Sequence, residues 1–143
     1  MSIKLEFREA TERDKQFLLK LRNATMNEHI STAGLELDQE NHIERINYHF
    51  ESAKIIENMN RPIGLLKVVK EGTVWYIVQI QLETDFQGKG LGRKIIQSII
   101  TEAKENDVKV KLSVFKTNPA LKLYLSLGFT TYLETEKTFE MQL

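Results

Sequence analysis

The sequence contains no cysteine. That single absence removes disulfides, thiolate metal sites and a cysteine nucleophile, and with them acyl transfer through an enzyme-bound thioester. There is no excess of charge either: twenty Lys and Arg balance twenty Asp and Glu, for a formal net charge of +0. No run of like charge and no basic stripe interleaved with aromatics stands out, so nucleic acid is not an expected partner. No apolar stretch reaches the length of a membrane span, and Met1-Ser2-Ile3-Lys4-Leu5-Glu6 alternates charged with apolar residues where a signal peptide would be apolar. A soluble cytoplasmic protein without a membrane partner is expected. Histidine is scarce, at three residues. His42 and His49 fall on one predicted helix about 10 Å apart along its axis, too far to chelate one ion, so no metal is expected.

The 143 residues, 41% hydrophobic and 28% charged, suffice for one full core, and the expectation is a single domain over 1–143. The most telling segment is Gln87-Gly88-Lys89-Gly90-Leu91-Gly92, set between an apolar strand pattern (Val74 to Leu82) and a helical pattern (Arg93 to Lys104). Glycines at alternate positions remove the Cβ atoms that would hold a ligand away. The helix that follows opens with backbone N–H groups lacking intrahelical partners, which together with the helix dipole suit a diphosphate. Lys89, Arg93 and Lys94 add local positive charge to a neutral chain.

Two familiar phosphate loops do not fit. The nucleoside-triphosphate loop needs a Gly-Lys-Ser/Thr, and Lys94 is flanked by Arg93 and Ile95. The dinucleotide fingerprint would place its third glycine at Arg93 or Ile95, and the loop comes late in the chain. What remains is Gln-x-x-Gly-x-Gly at Gln87, Gly90 and Gly92. A second cluster follows: Asn118-Pro119-Ala120, then Tyr124, then Gly128-Phe129. Taken alone, Asn118 and Pro119 suit a helix start, Gly128 a helix end, and Tyr124 a core position with its hydroxyl at the rim.

Together, the two clusters resemble the acyl-CoA loop and the downstream Asn and Tyr of the GCN5-related N-acetyltransferases, the GNAT superfamily. The coarse pattern agrees along the chain. Ile3 to Phe7 alternates as an edge strand, and a capping box at Thr11 to Asp14 opens a first helix with Phe17, Leu18, Leu21 and Ala24 on one face. Asn27 to Leu37 reads as a long loop. Asp38 is placed to cap a second helix presenting Ile43, Ile46 and Phe50. Strands are expected at Lys54 to Glu57, Ile63 to Lys70 and Val74 to Leu82, with turns at Met59 to Pro62 and Glu71-Gly72. A helix buries Ile95, Ile96, Ile99, Ile100 and Ala103. A strand from Val108 to Val114, a short helix after Asn118, and a hairpin of Phe129 to Leu133 with Thr138 to Gln142 complete the order. The resemblance implies an α/β (α+β) fold: a mixed, largely antiparallel central sheet of seven strands flanked by four helices, with splayed central strands.

It also implies roles. Acetyl-CoA would lie with its diphosphate on the amides of Gly88, Lys89, Gly90, Leu91, Gly92 and Arg93, beside Gln87. Its pantetheine arm would run along the strand edge at Ile80 and Leu82 past Asn118, and Tyr124 would protonate the leaving thiolate. The implied reaction is N-acetyl transfer to a primary amine of a small molecule or peptide by direct attack in a ternary complex. Many members carry a Glu on the strand before the loop, where this chain has Gln79 and Gln81, and an amide cannot take the amine's proton. His29, His49, Glu83 or a water chain are the candidate bases, with His29 entered as the tentative one. Trp75, Gln79, Gln81, His29, Glu36 and Tyr48 are the expected acceptor-side residues, with Gln79, Gln81, Trp75 and Ile77 sharing a strand face. A homodimer is possible in such a family. A non-catalytic acyl-CoA binding or sensing module is the alternative, motivated by the missing Glu, and a nucleotide-binding domain stands third.

Overall fold

The computed structural model describes residues 3–25 and 39–143. Strand β1 (Leu5–Glu9) leads through a 3-10 turn at Glu12–Asp14 into helix α1 (Lys15–Thr25). Helix α2 (Gln39–Asn47) precedes three strands: β2 (Ala53–Asn58), β3 (Arg61–Glu71) and β4 (Val74–Leu82). Helix α3 (Leu91–Glu105), strand β5 (Lys109–Phe115), helix α4 (Ala120–Ser126) and strands β6 (Thr130–Glu134) and β7 (Thr138–Gln142) follow. This is the element order expected from the sequence. The predicted loop from Asn27 to Leu37 and the cap at Asp38 lie outside the described residues, as do His29 and Glu36. Among the described residues, no helix is long and apolar enough to cross a membrane.

The strands form one sheet in the order β1-β2-β3-β4-β5-β7-β6, with every neighbouring pair antiparallel except β4 with β5. The β2–β3 turn is tighter than the sequence suggested. Met59 and Asn60 both take positive φ (52° and 64°), the two-residue geometry that matches sheet twist, so β3 already begins at Arg61. Pro62 is accommodated because Ile63 bulges out of register there, where a missing N–H breaks no regular ladder.

Adjacent strand residues face opposite sides of a sheet, and two cores form accordingly. Ile56 and Leu66 join α3 and α4 on one side through Ile95, Ile96, Ile99, Ala103 and Tyr124. Ile55 and Leu65 join Leu18 and Leu21 of α1 and Ile46 of α2 on the other. Of the expected apolar stripe of α3, Ile95, Ile96, Ile99 and Ala103 are buried and Ile100 is half-buried against the same core. That of α2 is rotated: Ile43 is 45% exposed, and His42, at 2%, takes the inward position beside Ile46. Helix α2 also ends at Asn47, so His49 is not on it but in a left-handed conformation just beyond.

A bulge decides which way β4 faces. Lys67 pairs with Gln79 and Val68 with Ile77, leaving Val78 as an extra residue. The alternation therefore slips by one. Trp75 and Ile77 share the α3 core with Ile80 and Leu82, while Gln79 and Gln81 belong to the face covered by α1 and α2. The expectation that Trp75 and Ile77 share a face with the two glutamines is corrected accordingly.

At the first turn, Arg8 donates to both carboxylate oxygens of Asp14 (2.8 and 2.9 Å) and to Glu57 (3.0 Å). Asp14 also accepts the Thr11 N–H at 2.7 Å, as the predicted capping box requires. The Arg8 guanidinium holds Asp14 down at about 2.

Candidate active site

Strands β4 and β5 pair only from Val74 to Ile77 against Lys109 to Leu112. Beyond that point the two strands no longer pair, and a cavity of about 220 Å³ opens between the end of β4 and the segment that follows β5. Its walls are Ile80, Gln81 and Leu82 from β4, Gln87 and Gly92 from the loop and α3, and Asn118, Leu123 and Tyr124 from the segment around α4. The two clusters that the sequence separates by some thirty residues thus meet across one cleft.

The loop is built by its glycines and by Gln87. Gln87 Nε2 donates to the Leu82 carbonyl at 2.9 Å, which ties the loop to the strand end and occupies that carbonyl. Gly88 (φ 73°) and Gly90 (φ 78°) lie in the left-handed region that favours glycine. Helix α3 begins at Leu91, two residues before the expected Arg93. Its first intrahelical bond runs from Lys94 N–H to Gly90 O at 3.2 Å, and no side chain among the described residues caps its start. The amides of Leu91, Gly92 and Arg93 therefore precede the helical ladder. The Leu91 side chain is buried in the core, so only its backbone serves the loop. Gly92 is different from the other two glycines: its backbone is helical, and a Cβ would meet only Leu123 Cδ2, at an ordinary 3.6 Å. Nothing in the fold demands a glycine there. Lys89 and Lys94 are exposed, whereas Arg93 Nη2 donates to Ser126 Oγ at 2.6 Å, joining α3 to α4.

On the opposite wall, Asn118 Oδ1 accepts the Ala120 N–H at 2.9 Å, a helix cap. Helix α4 ends at Ser126 and is closed by Gly128 (φ 100°) just beyond, with Phe129 N–H bonded to Tyr124 O and Gly128 N–H to Leu125 O, both at 3.1 Å. This C-cap accounts for Gly128 structurally. Tyr124 is 6% exposed, its ring edge-to-face with Phe129 at 5.8 Å. Burial pushes its phenol up to about 12, well above the ordinary value near 10.

The acceptor-side expectations divide. Gln79 and Gln81 are buried on β4, and Gln81 reaches the cavity. Trp75 does not: it sits in the α3 core with Lys70 Nζ 4.4 Å from its ring centroid. Tyr48 is half-exposed, stacked edge-on against His49 at 4.4 Å. Of the candidate bases, Glu83 is held by Arg61 (3.2 Å) and His49 by Glu51 (3.2 Å), and neither lines the cavity. Sequence reasoning missed Arg22, Arg45 and Lys67, which pack behind the glutamines. The available signal was a lysine within the apolar run Leu65-Leu66-Lys67-Val68.

Residues 23–141 match the acetyltransferase (GNAT) domain family, and the chain belongs to that family. Solved structures agree on the fold. The PaiA N-acetyltransferase of Thermoplasma acidophilum, in complex with coenzyme A, is 13% identical with a TM-score of 0.75 over 97% of this chain and 98% of that one. An acetyltransferase from Thermus thermophilus is 18% identical, with a TM-score of 0.76 over 98% and 96%. The ribosomal-protein-S18-alanine N-acetyltransferase of Escherichia coli is 18% identical, with a TM-score of 0.70 over 98% and 93%. A search of functionally curated proteins gave no match.

Proposed function

We propose that the protein transfers the acetyl group of acetyl-CoA to a primary amine of a small molecule or peptide, by direct attack with both substrates bound. The observation that carries this reading is the splay. One continuous cavity joins a glycine loop at a helix start to a buried tyrosine hydroxyl that bonds to no other group among the described residues. Family membership supports the acetyl donor, and the coenzyme A held by the Thermoplasma relative supports its class.

In this reading the amides from Gly88 to Arg93 receive the diphosphate, with Lys89 and Lys94 adding charge. Gln87 fixes the loop through its bond to Leu82 and keeps a second N–H and its carbonyl oxygen on the cavity wall. The unpaired edge of β4 past Ile77 positions the acyl arm, with an N–H near Ile80 steadying the carbonyl oxygen as charge develops on it. Holding both substrates there replaces a bimolecular encounter by a positioned one, which is worth several kcal/mol of the barrier.

Tyr124 supplies the proton that the departing sulfur takes. A phenol held at about 12 is neutral across the working pH range, so the donor form is always present. Against a thiolate near 8.5 in water the transfer is uphill by about 5 kcal/mol, and the desolvation that raises the phenol raises the thiolate with it. The amine's proton must leave on another group. His29 or a water chain is the candidate route, because Glu83 is paired with Arg61 and His49 contacts Glu51, neither lining the cavity, and the glutamines cannot accept it. Thiol release from acetyl-CoA, followed over an amine panel, tests the proposal. Release that depends on the amine and falls in Tyr124→Phe is expected. Coenzyme binding without release for any amine would instead favour the sensing module, which the glutamines in place of a strand Glu also suit.

A further inference from the structure

Behind the cavity, on the face covered by α1 and α2, lies a buried cluster of cations with no carboxylate among the described residues in ion-pair contact. Arg22 is 5% and Lys67 0% exposed, and Arg45 is half-buried beside them. No carboxylate among the described residues forms an ion pair with any of the three. They feel one another: burial and Arg45 draw Arg22 down to about 10, and burial with Arg45 and Arg22, opposed weakly by Glu51, draws Lys67 down to about 8.

The bonding inventory separates structural members from idle ones. Lys67 Nζ donates to the carbonyls of Arg45, Ile46 and Tyr48 at 3.1, 3.2 and 2.5 Å, closing the C-terminal end of α2, where a cation suits the helix dipole. Arg45 Nη2 donates to the bulge carbonyl of Val78 at 3.3 Å. Arg22 Nε donates to His42 Nδ1 at 3.1 Å, yet its Nη1 is buried with no partner among the described residues. Gln79 Oε1 and both polar atoms of the Gln81 amide are buried without such partners as well. Each such group left unpaired destabilises the fold unless a ligand relieves it. The bulge at Val78 is what turns both glutamines to this side, Gln79 opposite Lys67 and Gln81 opposite Leu65 in the β3–β4 register, and Gln81 stands on the cavity wall.

We infer that the acceptor amine carries a carboxylate, received by Arg22 Nη1 and Gln81 Nε2, while the Gln79 and Gln81 carbonyl oxygens take the N–H groups of the amine. Two idle donors and two idle acceptors match a small amino acid. Two donor nitrogens suit the two oxygens of a planar carboxylate rather than the three of a phosphate. The inference rests on the transferase reading above.

Product-like probes test it without needing the natural acceptor. The CoA-saturated protein is titrated by calorimetry with N-acetylglycine, N-acetyl-β-alanine and N-acetyl-4-aminobutyrate, each beside its carboxamide. For at least one spacing the acid should bind at least about tenfold more tightly than the amide, as expected for a charge-assisted bond, and Arg22→Gln should bring the pair to parity. Because that variant loses the contact to His42, Arg22→Lys is measured beside it, with a reduced but persistent preference expected. Acids and amides binding alike at every spacing, as when water alone fills the site, would overturn the inference, as would a preference that survives Arg22→Gln. The CoA titration on the same samples keeps the two readings apart: CoA binding without acid preference sinks only this inference, while no CoA binding sinks the transferase reading itself.

Discussion

Gly92→Ala should move stability and ligand affinity in opposite directions. In the free protein the added methyl would sit 3.6 Å from Leu123 Cδ2, an ordinary contact, on a helical backbone without positive φ. Alanine is preferred over glycine in a helix by up to about 1 kcal/mol, less in the first turn, partly through the unfolded chain. For a fold of this size that is a rise of about 1–3 °C in Tm. In the complex the same methyl stands on the cavity wall beside the free amides of α3. Displacing a phosphate there forfeits one or two charge-assisted hydrogen bonds of about 1.5–3 kcal/mol each, or about ten- to a hundredfold in CoA affinity and more if both are lost. Scanning calorimetry on the free protein and calorimetric titration with CoA read the two effects separately. An affinity equal to the parent's would show that no phosphate lies against Gly92. A Tm lowered by several degrees would show that the fold, not the ligand, needs the glycine.

Gly90→Ala is the counterpart, since its φ of 78° costs a side chain about 1–2 kcal/mol; it should lower Tm, measured on the same instrument. Tyr124→Phe removes a hydroxyl that bonds to nothing among the described residues, so thiol release should fall about a hundredfold or more while CoA affinity holds in titration. Because burial raises that phenol from 10 to about 12, its contribution to stability is complete below pH 10 and is lost as pH rises toward 12. The difference in Tm between parent and Tyr124→Phe should therefore shift against the parent over that window. Asp14 behaves in the opposite sense: lowered from 3.8 to about 2, it contributes about 2 kcal/mol above pH 4 that is lost as pH falls to 2. Asp14→Asn should flatten the acid limb of a Tm-against-pH series.

Much of this was legible in the sequence because it rests on local periodicity. The stripe Ile95, Ile96, Ile99 and Ala103 could pack in only one way, and the glycine loop and the Asn118 to Phe129 cluster carried their own geometry. The failures share one cause, a residue whose orientation is set by distant partners. Alternation through β4 gave the wrong face to Trp75 because the Val78 bulge appears only when β3 is laid beside it. Hydropathy turned Ile43 of α2 inward, whereas the helix buries His42 against Arg22.

Calorimetric titration of the parent protein with acetyl-CoA, beside ATP and NAD, tests the central claim most directly. Saturable binding of acetyl-CoA at one site per chain, with neither nucleotide binding comparably, is the predicted result. Binding of ATP or NAD in its place, or no binding of acetyl-CoA, would contradict the assignment of the splayed cleft and of the glycine loop at its mouth.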